Sequence, residues 1–252
     1  MKNNHYTALI RLGTPVVIGQ IGNLVLNFAD TFMIGHHSTM ELAAASFVNN
    51  IFVLVILFAL GFNFALTPII GPFIGREEHD KAGGVMKAAA YANTMLTIGL
   101  VVSAVAFYFT LPFFGQPDEL LPLMKPYLLV NILSIPFAVA GCQFKQFFDT
   151  IGRTKVSMYV LVSANILNIV GNYAFIYGHW GCPELGLLGA GLSTAVSRIV
   201  IALSFFIIYV RSKSCRVFFN GTVNAKGCEV KTHFRKINTL GWMSAIQSTI
   251  EC

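Results

Sequence analysis

LAAASFVNNIFVLVILFALGFNFALTP, residues 42–68, carries no Asp, Glu, Lys, Arg or His over 27 positions. A run of that length exceeds the roughly 20 residues an α-helix needs to cross the hydrocarbon of a bilayer. It also lacks the strict apolar and polar alternation of outer-membrane strands, and backbone in lipid must satisfy its own hydrogen bonds, which a helix does internally. Comparable runs recur at Thr14–Ile34, Val85–Phe113, Leu121–Phe144, Val156–Tyr177 and Leu187–Val210, so with Leu42–Pro68 the hydropathy pattern predicts six membrane helices. Charged residues make up only 11% of the chain and gather between these runs, a distribution that argues against a soluble domain.

The charges between the runs alternate by sign. Lys2 and Arg11 precede the first span, Arg76, Lys81 and Lys87 follow the second, Lys145, Arg153 and Lys155 follow the fourth, and Arg211, Lys213, Arg216, Lys226, Lys231, Arg235 and Lys236 follow the sixth. The opposite connections carry Glu41, Asp118, Glu119 and Glu184 with Lys125 as their one base. The positive-inside rule then places the N-terminus in the cytoplasm, in the cell (inner) membrane, and explains the net charge of +6 as anchoring rather than as a nucleic-acid surface. Residues 1–210 are expected to form a six-helix lobe, residues 211–236 a basic cytoplasmic linker, and residues 237–252 the start of a seventh helix that stops short of a crossing, as a truncated chain would. Gly71-Pro72, Gly115–Pro117, Gly152 and Gly178–Pro183 punctuate the runs, while Pro15 and Pro136 fall inside spans and predict bends.

Asp30 is the most informative residue. It follows Leu24-Val25-Leu26 and precedes Phe32-Met33-Ile34, with no base within a helical turn. A carboxyl there needs a cavity, a partner or a proton, so by default it marks an ion or substrate path; an interfacial helix cap is the competing reading. Gln20, Asn23, Asn27 and Asp30 recur at helical spacing on one face, and Asn165, Asn168 and Asn172 repeat the pattern in the fifth span, where interhelical hydrogen bonding alone is the plainer alternative. One carboxylate beside several amide oxygens supplies the hard donors an alkali cation or hydronium prefers. Burial favours the neutral carboxyl, so Asp30 could also take up a proton on one side and release it on the other.

Other candidates carry less. Gly186, Gly189, Ala190, Gly191, Ser193, Thr194 and Ser197 suit close helix packing, and Arg198 in the same span must snorkel or find a partner. His36-His37 are adjacent on the chain and make poor joint metal ligands, and the five cysteines show neither metal-ligand spacing nor a secreted disulfide framework. No nucleophile elbow, Walker loop or dinucleotide fingerprint occurs, which leaves an enzyme without its parts.

Leu26-Asn27-Phe28-Ala29-Asp30-Thr31-Phe32-Met33-Ile34-Gly35, followed by Leu42-Ala43-Ala44-Ala45-Ser46, resembles the first-helix signature of the multidrug and toxic compound extrusion (MATE) transporters, bacterial branch. Phe147–Lys155, Asn165–Gly178 and Gly186–Arg198 are similar to later motifs of the same family in the same order, so the resemblance covers essentially the whole chain. It implies one lobe of a twelve-helix, all-α polytopic membrane protein, with a second six-helix lobe as partner and membrane lipid around it. It further implies a cation-coupled (H+ or Na+) antiporter that exports amphipathic, mostly cationic drugs or toxic organic compounds by alternating access, with no cofactor beyond the coupling ion. By the same resemblance Asp30, Asn168, Asn172 and Thr194 bind the cation or proton, while Asn27 and Glu251 meet substrate or cation. Some relatives carry an aspartate where this chain has Asn172, which leaves proton or sodium open. A lipid-linked oligosaccharide flippase would show an arginine-lined cavity instead, and a seven-helix receptor a complete seventh helix.

Overall fold

The structure is a computed structural model that describes residues 2–250, with the side chains of residues 2–9, 11 and 12 outside the description. Among the described residues every regular element is helical: α1 (Lys2–His37), α2 (Thr39–Phe64), α3 (Leu66–Gly75), α4 (His79–Thr110), α5 (Leu121–Thr150), α6 (Thr154–Tyr177), α7 (Leu187–Arg211), α8 (Arg216–Asn224) and α9 (Gly227–Ile250), with single 3-10 turns at Leu111–Phe114 and His179–Gly181. Six segments are long and apolar enough to cross a membrane: Gly13–His37, Thr39–Gly75, His79–Phe114, Leu121–Thr150, Thr154–Tyr177 and Leu187–Arg211. They correspond one for one to the six predicted spans. The protein is a multi-pass, all-α membrane protein.

Glycine ends two of the connections for a conformational reason. Gly152, between α5 and α6, has φ +75°, and Gly178, after α6, has φ +69°, both in the left-handed region that side chains with a Cβ disfavour.

Two borders differ from the expectation. Gly71-Pro72 does not end a helix, because α3 runs through it to Gly75, and the turn falls at Arg76–Glu78 with Glu77 at φ +60°. Pro68 sits in the first turn of α3, where the missing N–H would have had no intrahelical partner, so the apolar run breaks near Ala65 and restarts instead of stopping. The segment 211–236, expected as a linker, is mostly helical: it holds α8 and the first turns of α9, which starts at Gly227 rather than near Ile237. Lys231, Arg235 and Lys236 keep the hydropathy of those turns low, but they do not oppose helix formation, and Glu229 in the first turn suits the positive end of the helix dipole.

The chain forms two compact units. The first gathers Met1–Val53, Leu100–Ile135 and Thr154–Ile201, and its interior includes Ile34, Val48, Met124, Ile176 and Leu187. The second gathers Leu54–Gly99, Pro136–Arg153 and Ala202–Cys252. It packs Phe147 against Tyr209 and Phe218, with ring centroids 5.2 and 5.4 Å apart, and brings α4 against α8 backbone to backbone at Gly83 and Gly221. Close approach of this kind matters because lipid tails are as apolar as leucine, so helices associate through packing and hydrogen bonds rather than through exclusion from water. Phe28, Phe32, Ile98, Val102 and Leu133 stay exposed, as lipid-facing side chains would be.

Candidate ion site

In the first unit α1 packs along α6. Asn165 Nδ2 donates to Asn23 Oδ1 at 3.2 Å, and two turns further along both helices Asn172 Nδ2 donates to Asp30 Oδ1. Both pairs are 142 positions apart, so α1 and α6 run in the same direction. The first and fifth spans of a chain that crosses the membrane at each step must do so. Gly22 permits the approach, since a Cβ there would lie 3.2 Å from the Asn165 amide nitrogen.

The amide row then passes to α7. Asn172 Nδ2 reaches Asn168 Oδ1 at 3.2 Å, the Asn168 amide meets Thr194 Oγ1 at 3.3 Å, and the Ser193 hydroxyl donates to the Asn168 carbonyl at 2.8 Å. With the Asn168 amide turned over, its nitrogen faces Asp30 Oδ1 at 3.1 Å while its oxygen accepts from Thr194 N at 3.2 Å, so this side chain can donate to the carboxylate as Asn172 does. Asp30, Asn168, Asn172 and Thr194, drawn from three helices, thus lie in one hydrogen-bonded cluster. Asn168 and Asn172 are 1% and 0% exposed, and Asn172 Oδ1 is buried with no hydrogen-bond partner. An acceptor left bare in that way costs free energy unless something positive visits it. The Asp30 carboxylate and the Thr194 hydroxyl are hard oxygens of the kind an alkali cation or a hydrated proton prefers.

Not every expected residue joins. Gln20 and Asn27 are exposed on α1 although they share its polar stripe, because the stripe is wider than the line along which α6 lies. Glu251 lies outside the described residues. Among those described, no three His, Cys, Asp or Glu side chains gather into a metal site.

The structure adds partners that the sequence did not name. Arg198 Nη1 donates to Asn131 Oδ1 at 3.2 Å and to Ser134 Oγ, both on α5, and its guanidinium lies 4.5 Å from the Phe52 ring centroid on α2. Tyr127 of α5 donates to Asn49 of α2 at 2.8 Å. At the end of α1, His37 stands between two acids, Nδ1 at 2.8 Å from Glu41 and Nε2 at 3.0 Å from Glu184. A neutral imidazole has one N–H, so only the imidazolium donates to both. The clue to the Arg198 cradle was present, since a guanidinium within a span demands partners and Asn131 and Ser134 recur at i, i+3. Nothing in the local sequence tied Glu184 to His37.

Residues 15–174 match the MatE family model, well over half of the chain. The chain belongs to the MatE family. It is 28% identical over 210 residues to a probable multidrug resistance protein NorM of Photorhabdus laumondii, covering 82% of this chain and 46% of that protein. It is 30% identical over 242 residues to the uncharacterized transporter YisQ of Bacillus subtilis, covering 94% and 52%. Among solved structures, the outward-facing conformation of a multidrug resistance MATE family transporter of the MOP superfamily superposes with a TM-score of 0.82 at 21% identity, over 96% of this chain and 52% of that one, which speaks for a shared fold. The chain spans about half the length of the curated relatives it matches. MatE proteins are transporters, not enzymes.

Proposed function

We propose that this chain supplies the N-terminal six-helix lobe of a proton- or sodium-coupled antiporter that exports amphipathic organic cations, and that Asp30 is its coupling carboxylate. The reading is supported by one observation above the others: a carboxylate on an apolar helix is held by buried amides, one of which keeps an unused oxygen. An ion arriving there neutralises Asp30 and uses that oxygen, and its departure returns the carboxylate to Asn172. Such an ion shifts the balance between two conformations only by the difference in its affinity for them, so the site must be tight when open to one side and weak when open to the other. Asn168, Asn172 and Thr194 complete the ion's oxygen shell, and Asn27 and Glu251 meet substrate or cation. A second six-helix lobe faces this one across the cleft through which substrate leaves, the N-terminus is cytoplasmic, and the protein resides in the cell membrane.

The test is Asp30→Asn in inside-out vesicles from cells expressing the gene that encodes this chain, with dye movement driven in turn by a pH and a sodium gradient. Ion-driven movement should fall by at least about tenfold, equivalent to losing ~1.4 kcal/mol of ion binding. Full ion-driven movement in Asp30→Asn would contradict the assignment, and whichever gradient drives the unaltered protein names the ion.

A further inference from the structure

The polar face of α6 continues well past the candidate ion site. Thr154, Ser157, Asn165, Asn168 and Asn172 are all buried and fall within an arc of about 80° on the helix. One stripe therefore runs from the first turn of α6 to the level of Asp30, interrupted by Leu161. Ser157 is 3% exposed and its hydroxyl has no partner; on α7, Ser197 is 5% exposed and its hydroxyl has none either. Neither turns back on its own helix, unlike Thr14, Thr31, Ser46, Thr94 and Ser163, whose hydroxyls each donate to the carbonyl four residues before. A buried hydroxyl without such a bond keeps its desolvation cost unless water reaches it.

α1 lies along this stripe in a constant register. Asn23 meets Asn165 and Asp30 meets Asn172 at an offset of 142, and at the same offset a Cβ on Gly19 would lie 3.8 Å from Leu161 Cδ1. One turn further, that register sets Ser157 opposite Pro15, which is buried and brings no N–H to the carbonyl four residues before it. On the other side Gly189 approaches Phe175 and Ser193 meets Asn168, so α7 runs antiparallel to α6 and Ser197 comes level with Ala164 and Asn165.

We propose that this seam is a hydrated path by which the coupling ion passes between Asp30 and the end of α6 beside the start of α1, with Ser197 and Ser157 as stations and Leu161 as its constriction. The inference rests on the reading of Asp30 as the coupling carboxylate, and that end faces the cytoplasm under the topology proposed with it. From Asn172 to Ser157 the helix rises about 22 Å, a depth no ion crosses in an apolar medium without oxygens around it. Ser157, Asn165 and Ser197 supply neutral oxygens, which replace part of a hydration shell without holding the ion as a carboxylate does. Leu161 is the one apolar side chain in the row, and an apolar constriction in a narrow polar path gates by shedding water. It stands against Gly19, where no side chain fills the facing helix, so a rotamer change of Leu161 alone opens the way.

Thiol chemistry reads where water reaches, because the thiolate is the nucleophile and apolar burial suppresses it. Inside-out vesicles carrying the full chain are treated with aminoethyl methanethiosulfonate, with free cysteine trapped in the lumen to consume reagent that crosses, and mass spectrometry follows each modified peptide. Ser157→Cys should react at least about tenfold faster than Val160→Cys, a position that is also buried but turned away from the stripe. Ser197→Cys, beyond the constriction, should react slowly, and at least about tenfold faster once Leu161→Ala is added, while Ser157→Cys keeps its rate. Leu161→Val serves where Leu161→Ala does not fold. Ser157→Cys no faster than Val160→Cys, or a Ser197→Cys rate unmoved by both Leu161 variants, overturns the proposal. If Asp30→Asn leaves ion-driven export intact while the thiols react as expected, the coupling reading fails and the hydrated seam stands. If Asp30→Asn abolishes export and Ser157→Cys does not react, the seam fails and the coupling carboxylate stands.

Discussion

Gly171 decides how closely α6 and α7 can pack at the candidate ion site. A Cβ at this position would collide with the Ser193 hydroxyl and lie 3.2 Å from Ser193 Cβ, inside ordinary van der Waals separation. Ser193 is itself held, since its hydroxyl donates to the Asn168 carbonyl at 2.8 Å and its neighbour Thr194 meets the Asn168 amide. Gly171→Ala should therefore push α7 off α6 at the place where Asn168 is positioned, at an overpacking cost of about 2 kcal/mol, or about 4–8 °C in Tm for a chain of this size. Ser193→Gly removes both clashing atoms, but alone it loses one hydrogen bond and puts glycine inside a helix, each worth about 1 kcal/mol. Were the two sites independent, the double variant would lose about 4 kcal/mol. Because the methyl introduced by Gly171→Ala fills the space that Ser193 vacates, the double variant should lose only about 2 kcal/mol, a coupling of about 2 kcal/mol in its favour. Thermal denaturation of the purified protein in detergent reads the cycle, and ion-driven dye movement should recover in the same order. Additive losses would refute the argument, for they would mean that α6 and α7 do not meet through these two side chains.

Two other measurements probe the ends of the molecule. Glu184 is 66% exposed, so its pairing with His37 is worth only about 0.2–1 kcal/mol, and His37→Gln should raise the rate of maleimide labelling at Cys182, in the same loop, by no more than about fivefold; an increase far beyond that would show that the loop hangs on His37 alone. His233, outside the candidate spans, stacks edge-on against Phe73 with ring centroids 5.7 Å apart, and its buried Nδ1 has no partner. Burial, followed by the nearby Lys236 charge, pulls its pKa below the ordinary 6.5. As pH falls through 6.5 the unfolded chain takes a proton that the folded one refuses, so stability is lost on the acid side. His233→Phe keeps the ring contact and should flatten the fall of Tm below pH about 6.5; identical acid limbs in the two proteins would refute this.

The six spans were legible because a membrane helix announces itself through a property that adds up along one segment: twenty or so apolar residues in a row. What was not legible was helix without that signature. The turns from Gly227 to Lys236 form α helix as readily as the apolar turns after them, but with Lys231, Arg235 and Lys236 they fall below any hydropathy threshold. The same rule merged α2 with α3, because Ala65 breaks the helix without breaking the apolar run. Hydropathy reports the solvent a segment prefers, and only indirectly its backbone.

The site divides along a similar line. Asn165, Asn168 and Asn172 could be read as one face because their spacing is a property of a single helix, and the face did turn inward as a unit. The α1 stripe did not. Asn23 and Asp30 meet α6 while Gln20 and Asn27 stay exposed, since periodicity fixes an angular sector and a neighbouring helix covers only part of it. The buried network of the second unit went unread altogether. There Asn63 and Asn93 exchange hydrogen bonds at 2.9 and 3.1 Å, and Asn93 donates to Gln143 at 3.1 Å, but each helix contributes a single amide, so no stripe forms. That network and the Asp30 cluster share a chemistry and differ in how fully it is used. Every side-chain nitrogen in the first is spent on a protein acceptor, which is what a structural joint needs, whereas the second leaves the Asn172 oxygen buried without a partner. A polar cluster in lipid that satisfies itself completely has nothing left to bind with. The unfinished one keeps an acceptor unspent, and under the proposed function that is where an ion would change the fold's energy.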